Sequence, residues 1–120
     1  MPEKLYFDKS RMMQVVINLL RNAIRYSNNY EEVAIIYEYN EKLDCHEIDF
    51  RDNGIPVKPE DKDKIFELFY RSRKASEKVP NGSGIGLYLV KQIMLAHGGD
   101  CYVKELNFPT KFTIQIPNKK

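Results

Sequence analysis

The stretch RMMQVVINLLRNAIRYS, residues 11–27, decides the fold because it predicts one long helix with two different faces. Its apolar residues recur at intervals of three and four, which is the spacing of a single buried helix face. They are Met12, Val15, Val16, Leu19, Leu20, Ala23 and Ile24. The sequence therefore predicts that the helix packs on a core along this stripe, with Asp8 or Ser10 capping its start.

A second stripe of the same helix carries polar residues of an unusual kind, namely Gln14, Asn18, Asn22 and Arg25. Asparagine in mid-helix costs about half a kcal/mol relative to alanine, because its amide competes for backbone hydrogen bonds. Carboxamides one turn apart can offer carbonyl oxygens to a hard cation and N–H groups to phosphate oxygens. The same amides can also satisfy local polar groups at a helix edge, and the helix alone leaves both interpretations open.

The bulk composition is that of one soluble globular domain. Of the 120 residues, 42% are apolar and 30% are charged, and a chain of this length buries a single core. A net charge of +2 is too small to indicate nucleic-acid binding. There is no long apolar run and no signal-peptide pattern, so we expect a cytoplasmic segment without direct membrane contact. Cys45 and Cys101 lack a C-x-x-C pattern, which favours buried free thiols, although a disulfide stays open.

The rest of the chain predicts strands and helices in an order that is not βαβ. Strands are predicted at 32–39, 45–50, 101–106 and 111–116, and helices after Pro59 and over 87–97. The first two strands should form an antiparallel hairpin. The short helix after Pro59 should bury Ile65, Phe66, Leu68 and Phe69. This order predicts an α+β fold with helices on one face of a mixed sheet.

A glycine-rich loop, GSGIG at 82–86, precedes the last predicted helix, which Gly98 and Gly99 should end as a C-cap. The dinucleotide-binding pattern fails because Leu87 stands where its last glycine would be, and the Lys-Ser/Thr ending of a P-loop is missing. What remains is a helix N-terminus with exposed backbone N–H groups, a setting that suits phosphate. A plain hinge at a helix start would have the same composition.

The two histidines do not indicate catalysis. His46 lies in a predicted strand, and His97 lies at a helix end, where packing or capping is expected. No Ser/His/Asp or Cys/His set is present, so covalent hydrolysis is not predicted.

Four separated motifs resemble, in their order, those of the catalytic ATP-binding domain of bacterial sensor histidine kinases, in the superfamily that includes gyrase. They are NLLRNAIRYS at 18–27, DNG at 52–54, IFELFYR at 65–71, and GSGIGL at 82–87 with HGG at 97–99. The resemblance covers nearly the whole chain. It implies a two-layer α/β sandwich, the Bergerat fold, in which three helices back a mixed sheet and a flexible lid at about 71–83 covers the ATP.

The resemblance also implies roles for residues of the first helix. Asn22 would be the Mg²⁺ ligand, Asn18 would lie near the phosphates, and Arg25 would offset phosphate charge. Tyr26 would line the nucleotide pocket. Asn18, Asn22 and Arg25 are therefore the expected catalytic set.

Across the cleft, the resemblance implies that Asp52 accepts the adenine amino group and that Gly54 leaves room for the base. A further set would border, hinge or form the lid and contact the nucleotide. Its members are Phe66, Phe69, Arg71, Gly82, Gly84, Ile85, Gly86 and Leu87.

Asn18 also bears on the type of reaction. In the superfamily's ATPases and serine kinases, a glutamate one turn before the metal-binding asparagine serves as base, and here that position is Asn18. Without a carboxylate to activate water, phosphoryl transfer to an imidazole supplied elsewhere is favoured over hydrolysis. The expected partners are a dimerisation and phosphoacceptor domain, which residues 1–120 should not contain, and a response regulator. The parent protein would be cytoplasmic or a membrane-bound sensor.

One residue departs from the family pattern. The family usually reads D-x-G-x-G, and Pro56 stands at the second glycine. Proline fixes φ near −65° and removes an N–H, so nucleotide binding could be weaker. Two alternative functions therefore stay open, a degenerate non-catalytic nucleotide-binding or docking module and a gyrase-type ATPase.

Overall fold

The computed structural model describes residues 7–26, 33–52, 57–70, 86–106 and 110–118. The helices among them are α1 (Lys9–Tyr26) and α2 (Gly86–Ala96), and the strands are β1 (Ala34–Asn40), β2 (Cys45–Asp52), β3 (Asp100–Glu105) and β4 (Thr110–Pro117). The α+β class predicted from the sequence is confirmed. Neither helix of the described residues is both long enough and apolar enough to cross a membrane.

The four strands form one sheet in the order β1-β2-β4-β3. β1 and β2 form the expected antiparallel hairpin, with Tyr37 opposite Ile48. β2 pairs antiparallel with β4, and β4 pairs antiparallel with β3. A mixed sheet also needs a parallel pair, and every pairing between the described strands is antiparallel.

Helix α1 packs on the sheet through the predicted stripe. Asp8 caps it, because its carboxylate accepts a hydrogen bond of 2.9 Å from the backbone N–H of Arg11. Val15, Leu19 and Ala23 are buried. A fully buried side chain of the size of Leu19 contributes about 1.5–3 kcal/mol to folding. The expectation for Ile24 is wrong: it is 65% exposed, because it follows Ala23 by about 100° around the helix and turns away from the sheet.

Helix α2 ends where the sequence predicts. Gly98 adopts a positive φ of 77°, the left-handed conformation that glycine accepts most readily. A Cβ on Gly99 would lie 2.1 Å from the backbone oxygen of Gln115, so only glycine allows the helix end to approach β4 this closely. The two glycines thus stop the helix and dock its end on the sheet.

The core lies between the helices and one face of the sheet. Its buried members are Val15, Leu19, Phe50, Ile65, Phe66, Val90, Ile93, Met94, Cys101, Val103, Phe112, Ile114 and Ile116. Cys45 and Cys101 are both buried and free, so the prediction of free thiols is confirmed. Burial raises the pKa of the Cys101 thiol to about 12, which keeps it protonated at neutral pH.

The prediction of a short helix after Pro59 is wrong in part. The segment forms two 3₁₀ turns, Pro59–Asp61 and Lys64–Phe66, because Glu67 adopts an extended conformation that ends the second turn. Ile65 and Phe66 are buried as expected. Leu68 is 46% exposed and Phe69 is 66% exposed, with φ of 66° at Phe69, so neither side chain follows a helical stripe into the core.

Candidate functional site

The side chain of Asn18 is held in one orientation on α1. Its Nδ2 donates a hydrogen bond of 2.8 Å to the backbone oxygen of Gln14, one turn earlier. Its Oδ1 faces α2, where a Cβ placed on Gly86 would lie 3.4 Å from it. The nitrogen thus satisfies a local backbone group, while the carbonyl oxygen is directed at the first residue of the second helix.

The other members of the polar stripe are Gln14, Asn22 and Arg25. Asn22 is half-buried one turn beyond Asn18. Gln14 belongs to the helix surface, where its Oε1 accepts a hydrogen bond of 3.0 Å from Arg11. The backbones of Arg25 and Tyr26 complete α1, and their side chains lie outside the described part of the chain.

The carboxylate of Asp52 is buried at the end of β2. Asp52 is 2% exposed and is the last residue of the strand. It lies two residues after Phe50, on the helix-facing side of the sheet, because alternate strand residues share a face. A buried carboxylate carries a large desolvation cost, so a strand end that retains one is a candidate site.

Thr110 lies directly opposite Asp52 in β4, and the sequence analysis did not single it out. It is also 2% exposed, and its Oγ1 donates a hydrogen bond of 3.3 Å to the backbone oxygen of Leu106. The sequence could have indicated its burial, because Thr110, Phe112 and Ile114 alternate along the strand and therefore lie on one face.

The two helices run in opposite directions over the sheet. Phe7, just before α1, stacks on the ring of His97, just after α2, with the ring centroids 3.7 Å apart. At the other end, Asn18 lies beside Gly86, the first residue of α2. His97 therefore has the packing role predicted for it.

This arrangement fixes the end of the sheet at which the candidate residues lie. The end of α2 is docked at Gln115, which pairs with Glu47 near the start of β2. Gly86 lies at the opposite end of α2, about 16 Å away at 1.5 Å per residue. Asp52 is likewise at the far end of β2. Asn18, Gly86 and Asp52 are therefore all displaced toward the same end of the molecule.

Lys91 ties α2 to two neighbouring elements, and the sequence analysis did not identify it. Its Nζ lies 2.6 Å from Asp100 Oδ1, donates a hydrogen bond of 2.7 Å to the backbone oxygen of Cys101, and sits 5.0 Å from the ring centre of Phe66. A cation over an aromatic ring and a charged hydrogen bond both hold the lysine in place. The contacts fix α2 relative to β3 and to the segment before residue 71.

The remaining predicted site residues fall into three groups. Gly86 and Leu87 open α2, and Leu87 packs against the core. Phe66 is buried beside Lys91, and Phe69 is exposed. The residues that lie outside the described part are Gly54, Pro56, Arg71, Gly82, Gly84 and Ile85. Within the described ranges, no group of three or more His, Cys, Asp and Glu side chains could hold a metal ion by itself.

A second set of buried carboxylates lies on the opposite face of the sheet. Glu47 accepts hydrogen bonds from Asn40 Nδ2 at 3.0 Å and from Lys104 Nζ at 3.3 Å, and Asp49 accepts one from Thr113 Oγ1 at 2.7 Å. Lys104 also lies 3.8 Å from Asp49. Burial opposes the ionisation of Glu47, but the hydrogen bonds from Asn40 and Lys104 outweigh it and hold the pKa of Glu47 below its usual value.

The polar groups toward the Asp52 end of the molecule could bind a metal ion, an amino group and phosphate. The carboxamide oxygens of Asn18 and Asn22 are the hard ligands that Mg²⁺ accepts, and an ionised carboxylate such as Asp52 is an acceptor for N–H donors. Gly86 places a helix N-terminus beside Asn18, where anions are favoured. The arrangement suits a ligand with an amino-bearing ring and a metal-bound polyphosphate.

Comparison with known proteins gives consistent matches. Residues 7–120 match the family described as "Histidine kinase-, DNA gyrase B-, and HSP90-like ATPase". The sensor protein SrrB of Staphylococcus aureus (strain NCTC 8325 / PS 47) is 38% identical over 112 residues, which are 92% of this chain and 19% of SrrB. The chain thus spans about a fifth of the length of that relative.

Solved structures of similar proteins show the same architecture. The mycobacterial sensor histidine kinase MprB superposes with a TM-score of 0.79 at 29% identity, covering 94% of this chain and 74% of that one. Full-length ShkA in complex with AMPPNP superposes with a TM-score of 0.75 at 25% identity, covering 92% of this chain and 22% of ShkA.

Proposed function

This chain belongs to the family of histidine kinase-, DNA gyrase B- and HSP90-like ATPases, and on that premise we propose that it binds Mg-ATP and donates the γ-phosphoryl group to a histidine. The acceptor histidine would belong to a dimerisation and phosphoacceptor domain outside residues 1–120. The observation that carries the proposal is the fixed Asn18 side chain, whose oxygen faces the N-terminus of α2 at the end of the sheet where Asp52 is buried. The similarity of this chain to the sensor protein SrrB and to the sensor histidine kinase MprB supports it.

Asp52 would recognise the adenine ring. Its carboxylate can accept a hydrogen bond from the exocyclic amino group of adenine, and it would meet the carbonyl of guanine with repulsion between two acceptors. Burial at 2% exposure strengthens this discrimination because water does not compete. Thr110 lies opposite Asp52 in β4 and is buried with it.

Asn18 and Asn22 would hold the triphosphate and its metal. The residues present fit Mg²⁺, because both carboxamides are half-buried on one stripe of α1 and Asn18 already directs its oxygen away from its own helix. Bound Mg²⁺ would neutralise charge on the phosphate oxygens. Backbone N–H groups at Gly86, the start of α2, would bind phosphate oxygens, and Arg25 would add a positive charge from the end of α1.

The absence of a carboxylate at position 18 supports transfer rather than hydrolysis. A carboxamide has no basic site that takes up a proton at neutral pH, so Asn18 cannot activate a water molecule. An imidazole is a nucleophile without such help, and the domain then needs only to position the γ-phosphoryl group and stabilise its charge. Asn18 is therefore suited to phosphorylating a histidine.

The expected partner in signalling is a response regulator, and the expected location is the cytoplasm. SrrB, the relative that shares 38% identity, is a sensor protein. In the proposed reaction the phosphoryl group would pass from the histidine to a response regulator. The domain would work in the cytoplasm, where ATP is available, either in a cytoplasmic protein or as the cytoplasmic part of a membrane-bound sensor. A segment at about 71–83 would act as the lid over the nucleotide.

Two other functions make different demands on the same site. A nucleotide-binding or docking module in which Pro56 has impaired the pocket would bind no ATP analogue at millimolar concentration. A gyrase-type ATPase would release phosphate steadily from the isolated domain, and Asn18 argues against that outcome.

The direct test uses the chain together with a separately expressed phosphoacceptor domain of its parent protein. With γ-labelled Mg-ATP, label should move to the acceptor as an acid-labile, alkali-stable phosphohistidine, and steady phosphate release should be absent. The matched control replaces the acceptor histidine by glutamine and should remain unlabelled. Nucleotide binding without transfer would contradict the kinase proposal, and steady release without an acceptor would favour the ATPase.

A further inference from the structure

Helix α2 makes different contacts on two of its flanks. On one flank, Gly86 lies beside Asn18 of α1. Lys91 comes five residues after Gly86, which places it about 140° around the helix and about 7.5 Å further along its axis. Its contacts are made on this other flank, with β3 and with the 3₁₀ turn that contains Phe66. Helix α2 thus lies between Asn18 and the contacts of Lys91.

The ammonium group of Lys91 is fixed relative to the sheet. It lies 2.6 Å from Asp100 Oδ1 and donates a hydrogen bond of 2.7 Å to the backbone oxygen of Cys101, both in β3. It also lies 5.0 Å from the ring centre of Phe66, whose ring packs edge-on against Phe112 of β4. Phe66, Cys101 and Phe112 are buried. The lysine therefore ties α2 to groups that are themselves held by the core.

Lys91 bears on the position of the N-terminal half of α2 more than on stability. The side chains of Lys91 and Asp100 are 26% and 40% exposed, and ion pairs with this access to water contribute little to folding. The C-terminal end of α2 is docked separately, where Gly99 lies against the backbone of β4. Lys91 is closer to Gly86 than that dock is, so its contacts have the greater influence on where Gly86 lies.

We infer that Lys91 is a positioning residue for the phosphate groups of the nucleotide. By anchoring α2 to β3 and to Phe66, it holds the backbone N–H groups at Gly86 in place beside Asn18. The inference rests on the proposed function, in which the start of α2 binds phosphate oxygens. N–H groups that are already in place lose little freedom when phosphate binds, so the anchor increases affinity without touching the ligand.

Lys91→Met in the 120-residue chain tests the inference. Methionine is close to lysine in length and can still pack on the ring of Phe66, so the variant should fold. Its affinity for Mg-ATP should fall by about 5- to 20-fold, because the N–H groups of α2 lose their fixed position. Its affinity for adenosine, which has no phosphate, should stay within about twofold of that of the unmodified chain. Titrations followed by NMR measure both dissociation constants.

Lys104→Met is the matched control. It also removes a lysine from a partly exposed ion pair, here with Glu47 on the face of the sheet turned away from the helices. The ratio of ATP affinity to adenosine affinity should stay within about twofold of that of the unmodified chain. If Lys104→Met lowers this ratio as much as Lys91→Met does, the loss reflects stability alone and Lys91 does not position the phosphates.

Asp100→Asn separates positioning from a simple effect of charge. If Lys91 acted only through its charge, the loss of a neighbouring negative charge would strengthen phosphate binding. If Lys91 acts as an anchor, the loss of its ion pair should weaken ATP binding, by about two- to fivefold. The asparagine oxygen can still accept the hydrogen bond of 2.8 Å that Asp100 receives from the N–H of Cys101. Unchanged or tighter ATP binding by Asp100→Asn would overturn the inference.

A measurement without nucleotide separates the inference from the proposed function. In the free chain, the backbone amide signal of Gly86 and the side-chain amide signal of Asn18 should shift in Lys91→Met and stay in place in Lys104→Met. If the unmodified chain binds neither ATP nor adenosine, the proposed function fails, and these two signals still decide whether Lys91 positions α2. The inference alone fails if the unmodified chain binds ATP and Lys91→Met leaves both signals unmoved, or weakens ATP and adenosine binding equally.

Discussion

Strand β2 carries buried carboxylates on both of its faces, and the two faces treat them differently. One face is turned away from the helices, and we call it the open face. On it, Glu47 and Asp49 share Lys104 and accept further hydrogen bonds from Asn40 and Thr113. On the helix-covered face, Asp52 is buried at the end of the strand, toward the end of α2 where Asn18 faces Gly86. The first pair is held by charge neutralisation within the sheet, whereas Asp52 is buried at the end of its strand, opposite Thr110.

Burial of an acid therefore does not by itself identify a functional site. Glu47 and Asp52 are 6% and 2% exposed, so their exposure does not separate them. What separates them is the surrounding chemistry. A carboxylate matched by lysine and amide donors stabilises the fold, and one buried at the end of the molecule where Asn18 faces a helix N-terminus is suited to a ligand. Matched substitutions on the two faces test whether they differ in this way.

The largest effect is expected at Asp52. Asp52→Ala should weaken ATP binding by about 30- to 150-fold, because a hydrogen bond to a charged group contributes about 2–3 kcal/mol. Asp49→Ala, the same change three residues earlier on the other face, should alter ATP affinity by less than about twofold. Isothermal titration calorimetry measures both affinities. Equal losses in the two variants would contradict the distinction between the faces.

The next largest effect on ATP affinity is expected at Asn22, with Asn40 as the comparison. Asn22→Ala should reduce the Mg²⁺-dependent affinity for ATP by about 10- to 100-fold, because a metal-binding oxygen is lost. Asn40→Ala is the matched control, since Asn40 donates to Glu47 on the open face and should affect only stability. Titrations with and without Mg²⁺ separate the two effects. An Asn22 variant that keeps its full response to Mg²⁺ would remove this residue from the site.

A smaller effect is expected on the open face. Lys104→Met should lower the free energy of unfolding by about 1–2 kcal/mol, because Glu47 and Asp49 would remain buried without their shared cation. ATP affinity should not change. Urea unfolding measures the free energy of unfolding. If it does not change, water must hydrate Glu47 and Asp49 once the lysine is removed.

The smallest effect is a dependence of stability on pH. Hydrogen bonds from Asn40 and Lys104 hold the pKa of Glu47 below 4.5, so its contribution to stability is present above that pH and is lost as the pH falls through the lowered pKa. Glu47→Gln should therefore flatten the fall in unfolding free energy below about pH 4.5. Identical pH profiles for both chains would show that Glu47 does not contribute.

Local patterns in the sequence predicted the helices and strands well, because their periodicity reflects one buried face. The stripe of α1 gave Val15, Leu19 and Ala23 correctly, and the two glycines after α2 end it as expected. The errors lie where the backbone departs from a regular period. Glu67 turns extended after a 3₁₀ turn, and this places Phe69 in solvent although its spacing matched a helix.

The candidate site was predictable only in its residue types. The mid-helix asparagines were visible as an anomaly, but the sequence does not show that the Asn18 oxygen faces Gly86, 68 positions later in the chain. Thr110 becomes notable only through the strand register that sets it opposite Asp52. Lys104 and Glu47 are 57 residues apart, and no local pattern relates them.

A titration of Mg-ATP into the isotope-labelled chain, followed by NMR, shows directly which face of β2 responds to the nucleotide. We expect the side-chain amide signals of Asn18 and Asn22 and the backbone signals of Asp52 and Gly86 to shift together with one dissociation constant. Signals of the open-face carboxylates and of Lys104 should stay in place. If these open-face signals move instead, or if the Asn18 and Asp52 signals do not respond at millimolar nucleotide, the two faces of β2 do not differ as described.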